Sequence, residues 1–346
     1  MAQFSRRQFL GNAAMAGAAL SGGLNALAPE AANAQSTEAP VPIPIIDSHI
    51  HLFDGARPLG AGYMGSPEYR AQSKTSLPSL YSPLARPAGI VGAIVVESSG
   101  LIDDNLWYLE VCRGDPFMVG VCGSLDPGRP DFPQYLAHFH KDPLYRAIRA
   151  SRFYSADGGK VALKPEQVAN LKLLAQADLA LDTANPSMEL MQANAMLADA
   201  IPNLRIVMDH LPSYDPAPSG QPGDERAFEA VVKEMAARPN LAVKLTEVYH
   251  RLGRVPGGEI VKEYEPLRAR LEMLYDAFGE DRVIFGTDYP ESYGIATIPE
   301  EVGLVKRFFA GKSRAINEKY FWKNSARIYK WTPRTAEQPR LSQAAN

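Results

Sequence analysis

Short runs of apolar residues recur along the chain and alternate with longer segments in which apolar residues are spaced three and four apart. Eight runs are typical of buried strands, at residues 45–51, 91–97, 118–125, 145–153, 179–183, 204–209, 241–246 and 283–287. Six segments between them have helical spacing, at residues 104–113, 132–140, 165–177, 186–200, 225–238 and 266–278. Strands alternating with helices over roughly 250 residues predict an α/β fold, a single-domain (β/α)8 or TIM barrel.

The remaining segments refine this prediction. Residues 54–87 are rich in Gly, Pro and Ser and predict an extended loop with one short helix, and residues 316–331 predict a helix that docks the carboxyl terminus. A doubly wound open sheet is the alternative fold. No Gly-x-Gly-x-x-Gly motif follows a predicted strand, so the usual dinucleotide site of that fold is missing from the sequence.

The amino terminus has the composition of an export signal. Arg6 and Arg7 form a twin-arginine motif, a mildly apolar run covers residues 13–28, and small residues at 32–34 supply a cleavage site. The run is too short and too interrupted to span a bilayer comfortably. We therefore predict a cleaved signal at residues 1–34, a barrel at 35–332, a disordered polar tail at 333–346, and a periplasmic location.

Charge and cysteine content exclude some classes of partner. The net charge is −3, and removal of Arg6, Arg7 and Glu30 changes it to −4, so neither nucleic acid nor an anionic membrane surface is expected to bind. Cys112 and Cys122 lack a Cys-x-x-Cys spacing, and we expect two buried free thiols rather than a disulfide. The sequence leaves the oligomeric state open, and a homo-oligomer is compatible with it.

Polar residues collect at the carboxyl ends of the predicted strands, where a TIM barrel places its active site. His49 and His51 share one face of the first strand, because side chains i and i+2 point the same way. His210 follows the sixth strand and Asp288 the eighth. Imidazoles in this arrangement can converge on one cation or one carbonyl oxygen. The plain alternatives are hydrogen-bonded strand histidines and a carboxylate that caps a turn.

Two cations at strand ends predict a substrate with an acid group. Arg149 and Lys244 are the predicted substrate-binding residues, together with Tyr289, since guanidinium forks match carboxylates. Strand alternation puts Arg149 and Arg152 on opposite faces, and we predict that Arg149 points inward. The alternative is a pair of salt bridges to Glu97, Asp182 or Glu247.

Three motifs, in this order, resemble the amidohydrolase superfamily, in its amidohydrolase-related branch that contains lactonases. They are Asp-Ser-His-Ile-His at 47–51, Asp-His-Leu-Pro at 209–212 and Phe-Gly-Thr-Asp-Tyr-Pro at 285–290, with a weaker match, Asn-Ser-Ala-Arg, at 324–327. The resemblance covers residues 45 to about 331. It implies a barrel that holds one or two divalent metals on the His-x-His pair, on residues of strands four and five, and on the aspartate after strand eight.

The chain departs from the fuller pattern of that superfamily. Arg149 lies on strand four, where members with two metals place a carboxylated lysine, and residues 181–185 contain no histidine. We therefore expect one divalent metal, zinc, on His49, His51 and Asp288, with His210 as a ligand or a hydrogen-bond donor. A metal-independent mechanism stays open, in which the three histidines donate hydrogen bonds to the developing oxyanion.

Both versions imply a hydrolase that opens the lactone of an acidic small molecule. Asp288 accepts a proton from the attacking water and returns it to the leaving alkoxide, while His49, His51 and His210 polarise the carbonyl with or without a metal. A non-oxidative, metal-dependent decarboxylase of the same superfamily is one alternative. An exported solute-binding barrel without turnover is the other.

Overall fold

The computed structural model describes residues 41–58, 60–184, 187–210, 222–246, 248–249, 260 and 262–342. The described residues from 42 onward form one compact unit. The predicted export signal lies outside the described residues. Within the described part of the chain, no helix is long and apolar enough to cross a membrane.

Eight parallel strands form one sheet whose order follows the chain. They are β1 (Ile45–His51), β2 (Ile90–Val96), β3 (Met118–Ser124), β4 (Tyr145–Arg149), β5 (Ala180–Thr183), β6 (Ile206–Met208), β7 (Leu241–Leu245) and β8 (Val283–Phe285). A parallel bridge between Ile50 and Tyr289 brings the chain after β8 back to β1. The sheet is therefore nearly closed, and the predicted TIM barrel with its eight strands is confirmed.

The described helices alternate with these strands and follow β8. They are α1 (Pro67–Gln72), α2 (Pro78–Ala85), α3 (Asp104–Gly114), α4 (Phe132–Phe139), α5 (Pro165–Gln176), α6 (Met188–Ala200), α7 (Pro222–Ala236), α8 (Tyr264–Phe278), α9 (Ile298–Phe309), α10 (Arg314–Glu318) and α11 (Asn324–Tyr329). A π-helical turn, Lys319–Lys323, joins the last two. A hairpin of Tyr154–Asp157 and Lys160–Leu163 follows β4, and Phe53–Asp54 pairs with Thr75–Ser76. All six predicted helices are confirmed.

Helix α9 was not among the predicted helices. Thr297 and Glu300 form a capping box at its start, in which each side chain accepts a hydrogen bond from the other residue's backbone N–H. Ile298, Val302 and Val305 then bury one face of the helix. The segment predicted as a loop with one short helix, residues 54–87, also contains two short helices, α1 and α2.

The carboxyl-terminal segment closes the amino end of the barrel. Trp322, Tyr329 and Trp331 pack with interior side chains such as Ile46 and Ile284. The prediction of a disordered tail is wrong for residues 333–342. Their side chains bind the end of α3 and the starts of β2 and β3: Arg334 donates to the carbonyls of Cys112 and Met118, and Gln338, 5% exposed, donates to those of Val91 and Pro116.

Cys112 and Cys122 are buried free thiols, as predicted. Burial raises the pKa of both thiols, which keeps them protonated and unreactive.

Candidate active site

Three ligand-type side chains converge at the carboxyl end of the barrel. Asp288 Oδ1 lies 3.0 Å from Nε2 of His49 and 3.0 Å from Nε2 of His51. The two Nε2 atoms are 3.3 Å apart, and all three residues are buried. Four ligands arranged tetrahedrally at zinc bond lengths of ~2.0–2.1 Å are separated by roughly 3.3 Å. The three residues therefore fit one divalent ion.

Backbone hydrogen bonds between the end of β1 and the segment after β8 hold this geometry. The N–H of Asp288 donates to the carbonyl of His49, and the N–H of His51 donates to the carbonyl of Tyr289, both at 2.8 Å. Adjacent strands of a barrel thus place the histidines and the carboxylate together before any ligand binds.

The side chain of Asp47 also connects the end of β1 to the segment after β8. Its carboxylate accepts hydrogen bonds from Thr287 N at 2.9 Å, from Thr287 Oγ1 at 2.6 Å and from Tyr81 OH at 2.6 Å. Burial raises the pKa of Asp47, while these hydrogen bonds oppose the shift. Asp47 is not among the predicted site residues, although it opens the Asp-Ser-His-Ile-His motif.

The backbone near the site is tightly constrained. A Cβ at Gly286 would lie 2.6 Å from Thr246 Cγ2 and 2.9 Å from His49 Cβ, so only glycine lets β8 approach β1 this closely. Asp288 and His210 adopt left-handed backbone conformations, with φ of 59° and 67°. Each such residue costs about 1–2 kcal/mol, and strain of this kind clusters at functional sites.

The hydrogen bonding of His51 determines which of its two ring nitrogens lacks a proton. Its Nδ1 lies 3.0 Å from the carbonyl oxygen of Val96, which can only accept, so Nδ1 carries the proton. In the neutral ring Nε2 then presents a lone pair to Asp288 Oδ1 at 3.0 Å. Two acceptors at this distance repel each other unless a proton or a metal ion lies between them. In metal-binding histidines, a hydrogen bond from the other ring nitrogen, like the one from Nδ1 to Val96, orients the ring.

His210 lies beside the other oxygen of Asp288. Its Nδ1 is 3.8 Å from Asp288 Oδ2 and 2.9 Å from Thr246 Oγ1, and its ring is 4.8 Å from that of His49. The two oxygens of Asp288 are therefore divided between the histidine pair and His210. This placement favours a hydrogen-bonding role for His210 over a ligand role.

A buried charge cluster lies behind His49. Lys244 Nζ is 2.5 Å from Asp182 Oδ2, 2.8 Å from Asp209 Oδ1 and 3.4 Å from His49 Nδ1, and all four residues are fully buried. Tyr329 OH donates to Asp182 at 2.9 Å, which connects the segment that closes the barrel to the site.

The electrostatics of this cluster keep His49 neutral. Burial lowers the pKa of His49 well below its usual value, and the Lys244 charge lowers it further. Burial also acts to lower the pKa of Lys244, but Asp182 and Asp209 raise it by more, so the side chain remains an ammonium. Burial raises the pKa of Asp209 to about 6, against the effect of the Lys244 charge.

The three predicted substrate-binding residues have other partners. Lys244 is 0% exposed and bound by two carboxylates. Arg149 donates from Nε to Glu97 Oε1 at 2.8 Å and from Nη2 to the Glu97 carbonyl at 2.7 Å. The structure therefore supports the alternative interpretation, in which Arg149 and Lys244 form salt bridges to Glu97 and Asp182. Glu247 lies outside the described residues. The ring of Tyr289 packs against Tyr69 and Tyr81.

Two neighbours of the site carry no signal in the sequence. Tyr63 packs its ring 5.1 Å from that of His51, and its hydroxyl donates to Glu291. Glu291 is tied to the segment that carries Asp288, because its N–H donates to the carbonyl of Asp288 at 2.7 Å. Tyr63 lies in the segment after β1 that lacks any periodic pattern, so only the folded chain brings it to His51.

Comparisons with known proteins find a matching family and a similar protein of known name. A family model described as amidohydrolase matches residues 46–331. The L-fucono-1,5-lactonase of Burkholderia ambifaria is 30% identical over 247 residues, which are 71% of this chain and 80% of that protein.

Solved structures of low sequence identity share the fold. An amidohydrolase from Burkholderia multivorans with bound zinc is 22% identical, with a TM-score of 0.68 over 84% of this chain and 100% of that chain. A putative 2-pyrone-4,6-dicarboxylic acid hydrolase from Pseudomonas putida is 20% identical, with a TM-score of 0.60 over 84% of this chain and 98% of that chain.

Proposed function

Because the chain belongs to the amidohydrolase family, we propose that it is a hydrolase that opens a lactone ring at the site formed by His49, His51 and Asp288. The observation that carries the proposal is the position of Asp288, whose two oxygens face the histidine pair and His210. The similarity to a protein named as a lactonase supports the choice of a cyclic ester.

In the proposed reaction Asp288 works as the general base and then as the general acid. Its Oδ2 accepts a proton from water as the water oxygen adds to the acyl carbon. The ring C–O bond then breaks, and Asp288 returns the proton to the leaving alkoxide. His210 lies 3.8 Å from Oδ2 and is bonded to Thr246, so it can orient the carboxylate or the water. The product is a hydroxy acid, which releases one proton to solution when it ionises.

We further propose that His49 Nε2, His51 Nε2 and Asp288 Oδ1 hold one divalent metal ion, zinc. Such an ion supplies polarisation of the carbonyl and a lowered pKa of a bound water. The tautomer of His51 removes this ring from the metal-independent version, in which the histidines donate to the oxyanion. Since His51 donates its Nδ1 proton to Val96, the neutral ring has no second proton to give to an oxyanion.

The contacts of Arg149 and Lys244 favour an uncharged lactone over the acidic one expected from the sequence. Lys244 is buried between two carboxylates, and Arg149 is bound along its guanidinium by Glu97. Glu291 adds a carboxylate that accepts a hydrogen bond from Tyr63, whose ring packs against His51. A substrate carboxylate would have to displace one of these acids. Substrate hydroxyl groups could instead donate to them.

The site lacks features that a decarboxylase would need and has features that a binding protein would not need. β5, Ala180–Thr183, contains no histidine, and its Asp182 binds Lys244 and Tyr329 rather than the site. The decarboxylase alternative depends on a metal-binding histidine near this strand. A binding protein without turnover would not need a carboxylate held against two histidines in a strained conformation.

A lactone panel in a weakly buffered pH indicator tests the proposal. The panel contains two uncharged rings, L-fucono-1,5-lactone and D-glucono-1,5-lactone, and two acidic ones, muconolactone and 2-pyrone-4,6-dicarboxylate. Acid release above the spontaneous rate, faster for the uncharged rings, is the expected result. Faster release from the acidic rings would restore the acidic substrate. Release of CO₂ from hydroxybenzoates, or tight binding without acid release, would replace the hydrolase with a decarboxylase or a binding protein.

We also propose that the protein is exported by the twin-arginine route. The motif at Arg6 and Arg7 and the small residues at 32–34 support it. Cell fractionation of the wild type and an Arg6→Lys/Arg7→Lys variant tests the proposal. Retention of the variant in the cytoplasm is expected, and identical periplasmic levels would contradict the route.

A further inference from the structure

Lys244 contacts the ring nitrogen of His49 that does not face Asp288. Its Nζ lies 3.4 Å from His49 Nδ1, while the other ring nitrogen, Nε2, lies 3.0 Å from Asp288 Oδ1. Lys244 and His49 are both fully buried. An effect of the lysine on Asp288 must therefore pass through the imidazole ring of His49.

Two carboxylates hold Lys244 in this position. Asp182 Oδ2 lies 2.5 Å and Asp209 Oδ1 lies 2.8 Å from Nζ, and Tyr329 OH donates to Asp182 at 2.9 Å. Opposite charges at such distances in the protein interior favour the charged form of the lysine. An ammonium group carries three N–H donors and no lone pair, so Lys244 is the donor in every hydrogen bond that it makes.

The two tautomers of a neutral His49 ring are therefore not equivalent. If Nδ1 is bare, it accepts a hydrogen bond from Lys244 at 3.4 Å. If Nδ1 carries the proton, two N–H donors face each other. The acceptor nearest to Nδ1 among the described residues is then Asp209 Oδ1, at 3.6 Å, which is beyond hydrogen-bond distance. A buried donor without an acceptor is unfavourable, so the tautomer with bare Nδ1 is favoured.

The same tautomer suits the atoms around Nε2 of His49. Nε2 then carries the proton, and its neighbours are Asp288 Oδ1 at 3.0 Å and His51 Nε2 at 3.3 Å. His51 presents a lone pair at this point, because its own Nδ1 donates to the carbonyl of Val96. One proton on His49 thus faces two acceptors that would otherwise repel each other.

We propose that Lys244 is a positioning residue: it donates to Nδ1 of His49 and so holds the proton of that ring on Nε2, where it hydrogen-bonds Asp288 Oδ1. This hydrogen bond engages Oδ1 and leaves proton transfer to Oδ2, which lies 3.8 Å from His210 Nδ1. The significance of this role for catalysis rests on the proposed function, in which Asp288 is the general base.

The contact between Lys244 and His49 also opposes a metal ion on Nε2. A histidine nitrogen binds a metal ion only when it is bare, so the proton must then move to Nδ1. There it meets the Lys244 ammonium, and Asp209 is the acceptor that remains. Removal of Lys244 together with Asp182, which conserves the net charge of the cluster, should therefore strengthen metal binding.

NMR of the histidine rings in the full chain tests the tautomer directly. Protein labelled with ¹⁵N-histidine is treated with a chelator and measured at about pH 8, above the ordinary histidine pKa. Correlations with the carbon-bound ring protons show which nitrogen carries the proton, and a signal that is lost in His49→Asn identifies His49. We expect the proton on Nε2 of His49 and on Nδ1 of His51, which is the internal comparison.

A double variant tests whether Lys244 is the cause of the tautomer. In Asp182→Asn/Lys244→Met the His49 proton should move to Nδ1. Zinc affinity, measured by calorimetry, should rise roughly tenfold, which is the worth of one hydrogen bond to a charged group. Asp281→Asn/Lys319→Met makes the same two changes at a solvent-accessible ion pair of 2.9 Å. This control should match the wild type in both measurements.

Three results would overturn the role of Lys244: a proton on Nδ1 of His49 in the wild type, a proton kept on Nε2 in a folded double variant, or equal zinc affinity of the two proteins. Circular dichroism checks the fold of the double variant, and the wild-type spectrum decides alone if that variant does not fold. Absence of zinc binding in both proteins would contradict the proposed metal ion, and absence of lactone opening would contradict the proposed hydrolase. In either case the spectra still confirm or overturn the tautomer.

Discussion

Asp288 is bound to His49 twice: its backbone N–H donates to the His49 carbonyl at 2.8 Å, and its Oδ1 lies 3.0 Å from His49 Nε2. The backbone bond fixes where the carboxylate stands relative to the histidine. The side-chain contact is then a consequence of barrel closure between β8 and β1 rather than of a flexible loop. This preorganisation is what a general base needs.

Replacement of Asp288 by asparagine should keep the fold and remove turnover. The amide preserves the shape of the side chain but cannot accept a proton from water, and we expect kcat for lactone opening to fall by roughly 10³-fold. Asp281→Asn, a change of the same type at an exposed aspartate before β8, is the control and should retain full activity. Activity of Asp288→Asn within a few-fold of wild type would remove the general-base assignment.

Gly286→Ala should damage both stability and activity. The added methyl group would meet Thr246 and His49 at 2.6 and 2.9 Å. Overpacking of this kind costs about 1–3 kcal/mol and would push His49 away from Asp288. Urea unfolding and lactone kinetics measure the two effects.

Gly303 provides the matched control for that substitution. It lies inside α9, and an added Cβ would have no heavy atom within 4 Å. Gly303→Ala should therefore stabilise the fold by about 0.5–1 kcal/mol and leave kinetics unchanged. Equal effects of the two alanine substitutions would contradict the close packing of β8 on β1.

Lys244→Met should strongly destabilise the barrel. It leaves Asp182 and Asp209 buried without their shared cation, and breaking a buried ion pair costs about 3–5 kcal/mol. Adding Asp182→Asn to the Lys244→Met variant removes one of the two buried carboxylate charges that lost their cation. The double variant should therefore be more stable than the sum of the single effects predicts, by roughly 1 kcal/mol or more. Additive free energies of unfolding would show that the three charges are not coupled.

The ion pair at Asp178 predicts a pH-dependent contribution to stability. Burial acts to raise the pKa of Asp178, but hydrogen bonds from Lys330 at 2.6 Å and Arg205 at 2.7 Å outweigh it and lower the pKa below 3.8. The stabilisation is therefore present above the unfolded-state pKa and is lost as the pH falls through the folded-state pKa.

Asp178→Asn measures this contribution. Because Asp178 is 56% exposed, the substitution should cost only about 0.5–1 kcal/mol at neutral pH. The difference in unfolding free energy between wild type and variant should shrink at about pH 3. A difference that stays constant or grows on acidification would contradict the sign of the shift.

Much of the fold could be predicted because strands of a parallel barrel are buried on both faces and appear as continuous apolar runs. Those runs also locate the strand ends, which brings His49, His51, His210 and Asp288 to one face of the barrel. Helix α9 was missed although its capping box is visible at Thr297 and Glu300 and although a (β/α)8 barrel places a helix after its eighth strand.

The partners of the charged residues near the site could not be predicted from the sequence. Whether Arg149 binds Glu97 or a substrate depends on distances between strands that are 52 residues apart in the chain. Lysine is a residue type suited to binding an acidic substrate. In the folded barrel, however, the side chain of Lys244 lies between Asp182 and Asp209. The packed tail was missed because Arg334 and Gln338 bind backbone carbonyls, which leave no trace in the sequence pattern.

The most direct test of the central claim follows the oxygen of water into the product. The lactone that gives the fastest acid release is hydrolysed in H₂¹⁸O, and the hydroxy acid is analysed by mass spectrometry. Wild-type protein should produce, above the spontaneous background, a product with one ¹⁸O in its carboxyl group, and Asp288→Asn should produce background alone. Label in the new hydroxyl group, or enzyme-dependent product from Asp288→Asn at the wild-type rate, would contradict Asp288-dependent attack of water on the lactone carbonyl.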